Sequence, residues 1–531
     1  MVKSGVNETK RQREPRSLLR SSAVVAAMTM LSRVLGLVRD IVLAGFVGAS
    51  ANADAFFVAF KVPNFLRRLF AEGAFSQAFV PVLADYRQLG DVQQVRALLD
   101  RVAGVLGGSL LLLTAVFVLT APWLTAVFAP GFLSDPAKYQ LTVQMIRITF
   151  PYLLLISLTG FCGAVLNSYG RFAVPAFTPV LLNVSLITAA LFIAPWFDEP
   201  VMALAWGVLL AGTIQLLFQL PFLYRLELLP RPVFDTHHEG VRRIVKLMIP
   251  ALFGVSVSQI NLLLDTVLAS FLPTGSVSWL YYSDRLTELP LGVFGIAIAT
   301  VILPSLSLHS SASRGEAFRH TLHWASRMVL LIALPASAAL LVLAQPILIT
   351  LFQYGALTAD DTAMSAMSLR AYTLGLTAFM LIKVLAPGFY ARKDTRTPVV
   401  IGIKAMLANM LFNVLLVFPL MWWYGLGHVG LALATALSAW LNAFLLWRGL
   451  RNGGVWQTDE QYRRWWLVLL VATVAMAAVL LLMLPPLEAW FVWSAFERAW
   501  QLLLLCGAGF AVYLLVLLAC GLRYRDLHAP A

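Results

Sequence analysis

The sequence has 531 residues, of which 60% are apolar and 12% are charged, whereas soluble proteins are about 45–50% apolar and about 25% charged. This composition excludes a large soluble domain and predicts an all-α integral membrane protein with many spans. The formal net charge of +13 does not indicate nucleic-acid binding, because most of the basic residues lie in short segments between apolar runs, where membrane topology accounts for them.

The first apolar run, residues 21–47, follows a basic N-terminal segment (1–20) and is too long and too charged for a signal-peptide core, so we interpret it as an uncleaved first span. It contains Arg33, Arg39 and Asp40. Each charge at the centre of a spanning helix costs about 2.5–3.5 kcal/mol on insertion scales. A chain retains such residues where they face a polar cavity or one another.

A span needs about 20 apolar residues, and the sequence predicts fourteen of them. They are 21–47, 54–85, 102–128, 141–166, 174–196, 201–224, 244–271, 277–308, 322–345, 368–390, 398–420, 429–450, 465–486 and 492–521. The second and eighth are long and contain proline, which predicts that they are bent or broken.

Charged residues are also embedded in the second and eighth spans, where Arg67 and Arg285 stand in apolar surroundings. Guanidinium is the preferred partner of phosphate, so a cavity lined by these arginines would suit a diphosphate. Arg33 and Asp40 are seven residues apart, about 10 Å along a helix, which is too far for a direct pair. The alternative interpretation is that the embedded charges are ion pairs that hold the bundle together.

The distribution of basic residues among the loops predicts the orientation of the chain in the membrane. Alternate loops contain many arginines, including Arg171, Arg392 and Arg451, whereas the opposite loops contain Lys138 and almost no other basic residue. The positive-inside rule then places both termini in the cytoplasm. Arg171 and the Arg392–Arg396 run could also contact anionic lipid headgroups.

Short motifs recur at offsets of 219 to 225 residues, among them Asp40 with Asp265, Pro81 with Pro304 and Tyr169 with Tyr390. This order predicts two parallel six-helix lobes, a transporter architecture in which the substrate lies between the halves. We place the first lobe at 21–224, a cytoplasmic linker at 225–246 and the second lobe at 247–450. Two additional helices follow at 465–521.

The sequence contains no G-x-x-x-x-G-K-[ST] phosphate loop, no catalytic triad and no C-x-x-C pair. An ATP-driven pump, an enzyme and a zinc protein are therefore disfavoured. Asp265 lies in the seventh span, and Asn409 and Asn413 lie one turn apart in the eleventh. Their oxygens could bind Na⁺ or a proton, although interhelical hydrogen bonds are the simpler interpretation.

Four stretches resemble a known family closely. SRVLGLVRD is followed by ADAFFVAFKVPNFLRRLFAEGAFSQAFVPVLADY, and GSVSWLYYSDRLTELPLGVFGIAIATVILPSLS and VLAPGFYARKDTRTPV come later. These motifs are similar to those of the MurJ/MviN family of bacterial lipid II flippases over about residues 18–450.

The resemblance implies the multidrug/oligosaccharidyl-lipid/polysaccharide exporter fold. It implies movement of lipid II, the undecaprenyl-diphosphate-linked precursor of peptidoglycan, across the cytoplasmic (inner) membrane by alternating access, with a lipid-tail groove at spans thirteen and fourteen. The family's substrate-binding residues fall on Arg33, Arg39, Arg67, Arg285, Asp54, Lys61, Asn64, Ser278 and Glu288. Its sodium site falls near Asp265, Asn409 and Asn413, with asparagine where one carboxylate is expected.

Two other functions stay open at this point. A drug or cation antiporter of the same fold should have acidic cavity residues, and the excess of arginine argues against it. A membrane scaffold for cell-wall synthesis enzymes would tolerate the loss of Arg33 or Arg285.

Overall fold

The computed structural model describes residues 14–295, 302, 306, 315–456 and 460–522, with side chains described for these residues except 14–22, 70–73, 253–258, 294–295 and 460–463. All regular structure in these residues is helical, which confirms the predicted fold class. Residues 1–13 of the basic N-terminus and most of the second half of the predicted eighth span, including Pro304, lie outside the described residues.

The α-helices follow the predicted spans closely. They are α1 Glu14–Val47, α2 Ala51–Arg67, α3 Ser76–Gln88, α4 Val92–Leu119, α5 Ala121–Phe128, α6 Pro136–Thr149, α7 Tyr152–Ser168, α8 Ala173–Thr188, α9 Met202–Arg225, α10 Glu239–Ser270, α11 Ser276–Pro290, α12 Gly315–Phe352, α13 Ala359–Tyr390, α14 Arg396–Tyr424, α15 Gly427–Asn452, α16 Glu460–Met483, α17 Leu487–Val492 and α18 Ala495–Ala519.

Ten helical stretches in the described part of the chain are long and apolar enough to cross a membrane. They are Val92–Leu119, Pro136–Ser168, Ala173–Trp196, Met202–Arg225, Gly315–Phe352, Ala359–Tyr390, Arg396–Tyr424, Gly427–Asn452, Arg464–Met483 and Ala495–Ala519. The other predicted spans fall on α1, α2–α3, α10 and α11, the helices that contain the embedded charges. A multi-pass membrane protein is confirmed, and the count of fourteen spans stays a prediction.

The second and eighth predicted spans are both interrupted by π-helix, as their proline content predicted. One π-helical segment covers Arg68–Phe75 and the other covers Leu291–Gly295. A π-helical turn inserts a residue into the α-helical ladder and is frequent at functional sites. The two segments begin 223 residues apart, within the offsets of the sequence repeat, so the two halves break the same span in the same place.

One compact unit comprises Met1–Val47 and Ala51–Val267. In it α1 packs on α8, α9 packs on α7 and α8, and α2 packs on α6. One of its buried clusters contains Phe75, Phe79 and Phe161, with the Phe79 ring centroid 5.2 Å from each of the other two. Interlocking aromatic rings of this kind bury large apolar areas in fixed geometry.

The segment after α9 runs along α4 of the same unit. Arg96 pairs with Glu227 at 2.9 Å and Arg101 pairs with Asp235 at 3.0 Å. The Val233 amide donates to the Asp100 carbonyl at 3.0 Å, and Gly104 has no space for a side chain because the Val233 carbonyl lies against it. Most of the predicted linker is therefore held on a helix of the first unit.

The second unit comprises Gly48–Ser50 and Leu268–Ala531. Here α13 packs on α12 and α15, and α14 packs on α15. The helices α16 and α18 pack on each other and on α12, around Leu330, Trp490 and Leu505. The division between the units falls after Val267, later than the linker proposed from sequence, and the lobe boundaries stay a prediction.

Candidate functional site

Arg39 is buried in α1 and makes three hydrogen bonds to side chains. Its Nε and Nη2 donate to Oδ1 of Asp40 at 3.0 and 2.7 Å, and its Nη1 donates to Oδ1 of Asn183 on α8 at 3.0 Å. The Asn183 amide donates in turn to the Ser32 carbonyl at 3.0 Å. Arg39 therefore connects α1 to α8 inside the first unit, and its guanidinium is engaged by protein atoms.

Arg33 lies on the same helix in a different situation. It is half-buried, and its side chain makes no hydrogen bond or ion pair with the described residues. The described carboxylate nearest in sequence, Asp40, is paired with Arg39 instead. A half-buried guanidinium without an internal partner retains its donors for an external anion.

Proline shapes the polar stretch of α2. Pro63 has no N–H, so the Ala59 carbonyl loses its donor within the helix, and the hydroxyl of Thr149 on α6 donates to that carbonyl at 3.0 Å. Asn64 donates to the Phe60 carbonyl at 2.8 Å and accepts from Nε of Arg67 at 3.1 Å.

The Asn64 side chain thus joins the Phe60 carbonyl to the Arg67 guanidinium and orients that guanidinium. Lys61, Asn64 and Arg67 are all half-buried, as two cations and an amide that remain accessible to a polar space should be.

Asp54, at the first turn of α2, is 1% exposed and accepts from the Lys138 ammonium on α6 at 2.9 Å. The ammonium also lies 4.2 Å from the centroid of the Phe132 ring. The sequence pattern did not identify Lys138 as a partner of Asp54. The one indication in the sequence was that Lys138 is an isolated basic residue among loops that contain few others.

In the second unit, Arg285 lies on α11 beside two polar neighbours. Its Nη1 donates to Oε2 of Glu288 at 3.0 Å, and its guanidinium lies 5.0 Å from the centroid of the Tyr281 ring. The Arg285 and Glu288 side chains are 33% and 44% exposed. A pair this exposed contributes about 0–1 kcal/mol, so a phosphate could compete for the arginine. Ser278, two turns earlier on the same side of α11, is completely buried.

The residues proposed to bind sodium divide between the units. Asp265 is half-buried on α10 in the first unit. Asn409 and Asn413 are each 1% exposed and lie one turn apart on α14 in the second unit. In the described part of the chain, no three His, Cys, Asp or Glu side chains cluster at metal-binding range. The sodium site stays a prediction.

The fold and these side chains define a class of protein: a multi-pass helical membrane protein with half-buried arginines on α1, α2 and α11. The family model described as "Lipid II flippase MurJ" matches residues 43–500. The chain belongs to the MurJ family.

Two relatives show how much of the chain this similarity covers. A probable lipid II flippase MurJ of Vibrio cholerae serotype O1 is 50% identical over 519 residues, which are 96% of this chain and 98% of that protein. The lipid II flippase MurJ of Burkholderia cenocepacia is 43% identical over 452 residues, which are 84% of this chain and 86% of that protein.

Solved structures agree with this membership. A lipid II flippase MurJ in an inward closed conformation superposes with a TM-score of 0.78 at 26% identity, covering 95% of this chain and 99% of that one. An inward-facing multidrug resistance MATE family transporter of the MOP superfamily superposes with a TM-score of 0.65 at 16% identity, covering 82% and 98%. The second likeness shows a shared fold alone.

Proposed function

We propose that the protein flips lipid II from the inner to the outer leaflet of the bacterial cytoplasmic membrane, where the precursor is used for cell-wall synthesis. The relatives that match nearly the whole chain are lipid II flippases by name. Arg33 carries the chemical part of the proposal, since it is a half-buried cation on a membrane-embedded helix without a partner among the described residues.

The cargo's diphosphate is the group that these arginines would recognise. Phosphate oxygens accept two parallel N–H donors from one guanidinium, a geometry that lysine does not reproduce. Arg33, Arg67 and Arg285 are the proposed ligands. Lys61, Asn64 and Glu288 adjoin Arg67 and Arg285 in sequence and shape the surroundings of their guanidinium groups.

Alternating access is the proposed mechanism. The diphosphate and its sugars bind the arginines while the polyprenyl tail stays in lipid along α16 and α18. With both termini in the cytoplasm, a membrane potential that is negative inside favours return of the empty, positively charged site to the inner face. The potential contributes about 2.3 kcal/mol per charge per 100 mV.

Replacement of Arg33 tests the proposal. Cells depleted of the protein are complemented with Arg33→Ala, and lipid II exposed on the outer face is measured. We expect at least about a tenfold loss of exposed lipid II, since removing a charged hydrogen-bond partner costs about 1.5–3 kcal/mol. Arg33→Lys should restore only part of it.

The matched control is Arg96→Ala, which removes an arginine from an exposed pair with Glu227 and should leave flipping unchanged. Complete rescue by Arg33→Ala at normal protein levels would refute the arginine mechanism. It would favour the scaffold alternative, in which the protein recruits cell-wall synthesis enzymes and moves no lipid.

Coupling to a cation is a further part of the proposal, carried by Asp265, Asn409 and Asn413. Carboxylate and amide oxygens are suitable ligands for a hard cation.

If Na⁺ is the coupling ion, replacing it with choline should slow flipping by the wild type, and Asn409→Leu should be insensitive to the exchange. A rate that follows external pH and ignores Na⁺ would identify the proton instead.

A further inference from the structure

A buried ion pair joins the first turns of two helices in the first unit. The Nζ of Lys138 on α6 lies 2.9 Å from Oδ2 of Asp54 on α2, and the two side chains are 5% and 1% exposed. The Phe132 ring, itself 2% exposed, covers the ammonium at 4.2 Å. The pair is therefore enclosed by protein on several sides.

Local helix energetics favour Asp54 and disfavour Lys138 where they stand. The N-terminus of a helix carries a partial positive charge, which attracts an acidic residue and repels a basic one. Asp54 lies in the first turn of α2. Lys138 lies in the first turn of α6, three residues after the N-cap Asp135, whose carboxylate accepts from the Lys138 amide at 3.1 Å. Lys138 is thus accounted for by its tertiary partner and not by its own helix.

Burial of such a pair is a poor source of stability. Removing both charges from water costs about as much as their attraction returns, and well-packed apolar residues often replace a buried pair without loss. Its best-attested use is to fix the register of one element against another.

The register of α2 matters because this helix carries the polar residues of the candidate site. Asp54–Lys138 attaches the start of α2 to α6, and the hydrogen bond from Thr149 to the Ala59 carbonyl attaches its middle. Two attachments along one helix fix both its axial position and its rotation. Lys61, Asn64 and Arg67 follow within the next helical turns, so their directions depend on these attachments.

We infer that Lys138 is a positioning residue for transport: its ammonium holds Asp54, and through Asp54 the helix α2, so that Lys61, Asn64 and Arg67 face the cargo. Asp54 then serves as the partner of Lys138 and not as a ligand of the cargo. This inference rests on the proposed function and refines the role that family resemblance gives to Asp54.

Three variants test it: Asp54→Leu, Lys138→Met and the double variant with both changes. Each single change leaves one buried charge without its partner, and the double change leaves two apolar side chains of similar size. We expect each single variant to reduce lipid II flipping at least about tenfold, and the double variant to regain activity to within about threefold of wild type. Lys138→Arg should retain most of the activity.

Two measurements on the purified proteins separate positioning from mere folding and from cargo contact. Amide hydrogen exchange over 51–67 should accelerate in both single variants and return to the wild-type rate in the double variant. Affinity for lipid II in nanodiscs should also return in the double variant.

A double variant that exchanges like wild type but neither binds nor flips lipid II would show that Asp54 touches the cargo. That result overturns the inference, as does a fully active Lys138→Met. Failure of the wild type to flip lipid II in the same assay would instead refute the proposed function, and the exchange data would still report on the register of α2.

Discussion

Arg33 and Arg39 stand six residues apart on α1 and illustrate how differently one residue type can be used. Arg39 is enclosed and bonded to Asp40 and Asn183, whereas Arg33 is half-buried and has no partner among the described residues. The internal pairing that the sequence left as an alternative therefore applies to Arg39, and the anion-binding interpretation applies best to Arg33.

This contrast predicts different consequences of the same substitution. Arg39→Ala leaves Asp40 buried without its guanidinium partner, and breaking a buried pair in this way costs about 3–5 kcal/mol. Arg33→Ala removes no hydrogen bond or ion pair with the described residues and should leave stability nearly unchanged while reducing flipping. Melting temperatures in detergent, read by fluorescence-detected size exclusion, check this. An equal loss of stability in both variants would contradict the assignment.

Residue spacing along the sequence predicted part of this site but not the partners that come from other helices. Seven-residue spacing was enough to exclude a direct contact between Arg33 and Asp40 along one helix. The partners Asn183 of Arg39 and Lys138 of Asp54 lie 144 and 84 residues away. Such pairs depend on how helices pack, and no local pattern specifies which polar residue of another helix will face them.

At the scale of elements, Arg498 on α18 attaches the C-terminal helices to α12 within the second unit. Its Nε donates to the Trp490 carbonyl at 2.8 Å, and its Nη2 donates to the Phe491 carbonyl at 3.3 Å. Its Nη1 reaches the Ile349 and Gln353 carbonyls at 3.5 and 3.4 Å, at the C-terminal end of α12. Four carbonyls converge there on one buried cation, which also suits the negative end of the α12 dipole.

Arg498→Gln should therefore destabilise the protein by about 1.5–3 kcal/mol and accelerate amide exchange in α16 and α18 more than in α13. Arg498→Lys restores the charge but not the fork of donors, so it should recover only part of the loss. Uniform acceleration over the whole second unit would show instead that Arg498 supports the unit generally and not this attachment.

The segment held on α4 gives a prediction about pH. The pKa of Asp235 lies below its usual range because the His237 amide, and then the Arg101 side chain, donate to its carboxylate. A lowered pKa stabilises the folded arrangement above the unfolded pKa, about 3.9 for Asp. That contribution disappears as the pH falls through the folded value.

The segment should consequently stay immobile from pH 8 to 5 and become mobile below about pH 4. A nitroxide attached at the exposed Thr236 reports this by electron paramagnetic resonance. Arg101→Gln, which removes the second cause of the shift, should move the transition to higher pH. An unchanged transition in that variant would mean that the His237 amide alone holds the carboxylate.

The π-helical breaks at Arg68–Phe75 and Leu291–Gly295 show what composition can and cannot predict for an element. Proline indicated that these two spans would be bent or broken. The type of interruption depends on which carbonyls find partners after the break, and that follows from neighbouring helices. The equal placement of the breaks in both halves supports the internal repeat independently of residue identity.

For the whole molecule, the apolar runs predicted an all-helical membrane protein because backbone polar groups in lipid must be satisfied within each segment. That constraint is strong enough to determine fold class from composition. The division into compact units cannot be predicted from composition, because it depends on contacts between helices that are distant in sequence. Those contacts assign α10, up to Val267, to the first unit. The family relationship adds the cargo, which the fold shared with a MATE transporter does not specify.

The proposed transport direction depends on the orientation of the whole chain, which cysteine labelling can test. Basic loops remain on the cytoplasmic side during insertion, so Arg171 and Asn452 should face inward, and Asp198 and Asp360 should face outward. In a background without Cys162, Cys506 and Cys520, cysteines at 198 and 360 should react with an impermeant maleimide in intact spheroplasts. Cysteines at 171 and 452 should react only after permeabilisation.

All four positions are exposed, so lack of reaction reflects the membrane and not burial. A labelling pattern that agrees with the predicted orientation would support a membrane potential, negative inside, as the force that returns the arginine-bearing site to the cytoplasmic face. The reverse pattern would make the same potential oppose that return, and the cycle would then require the coupling cation to supply the difference. Orientation therefore decides whether the charge on Arg33 and its neighbours helps or hinders the return step.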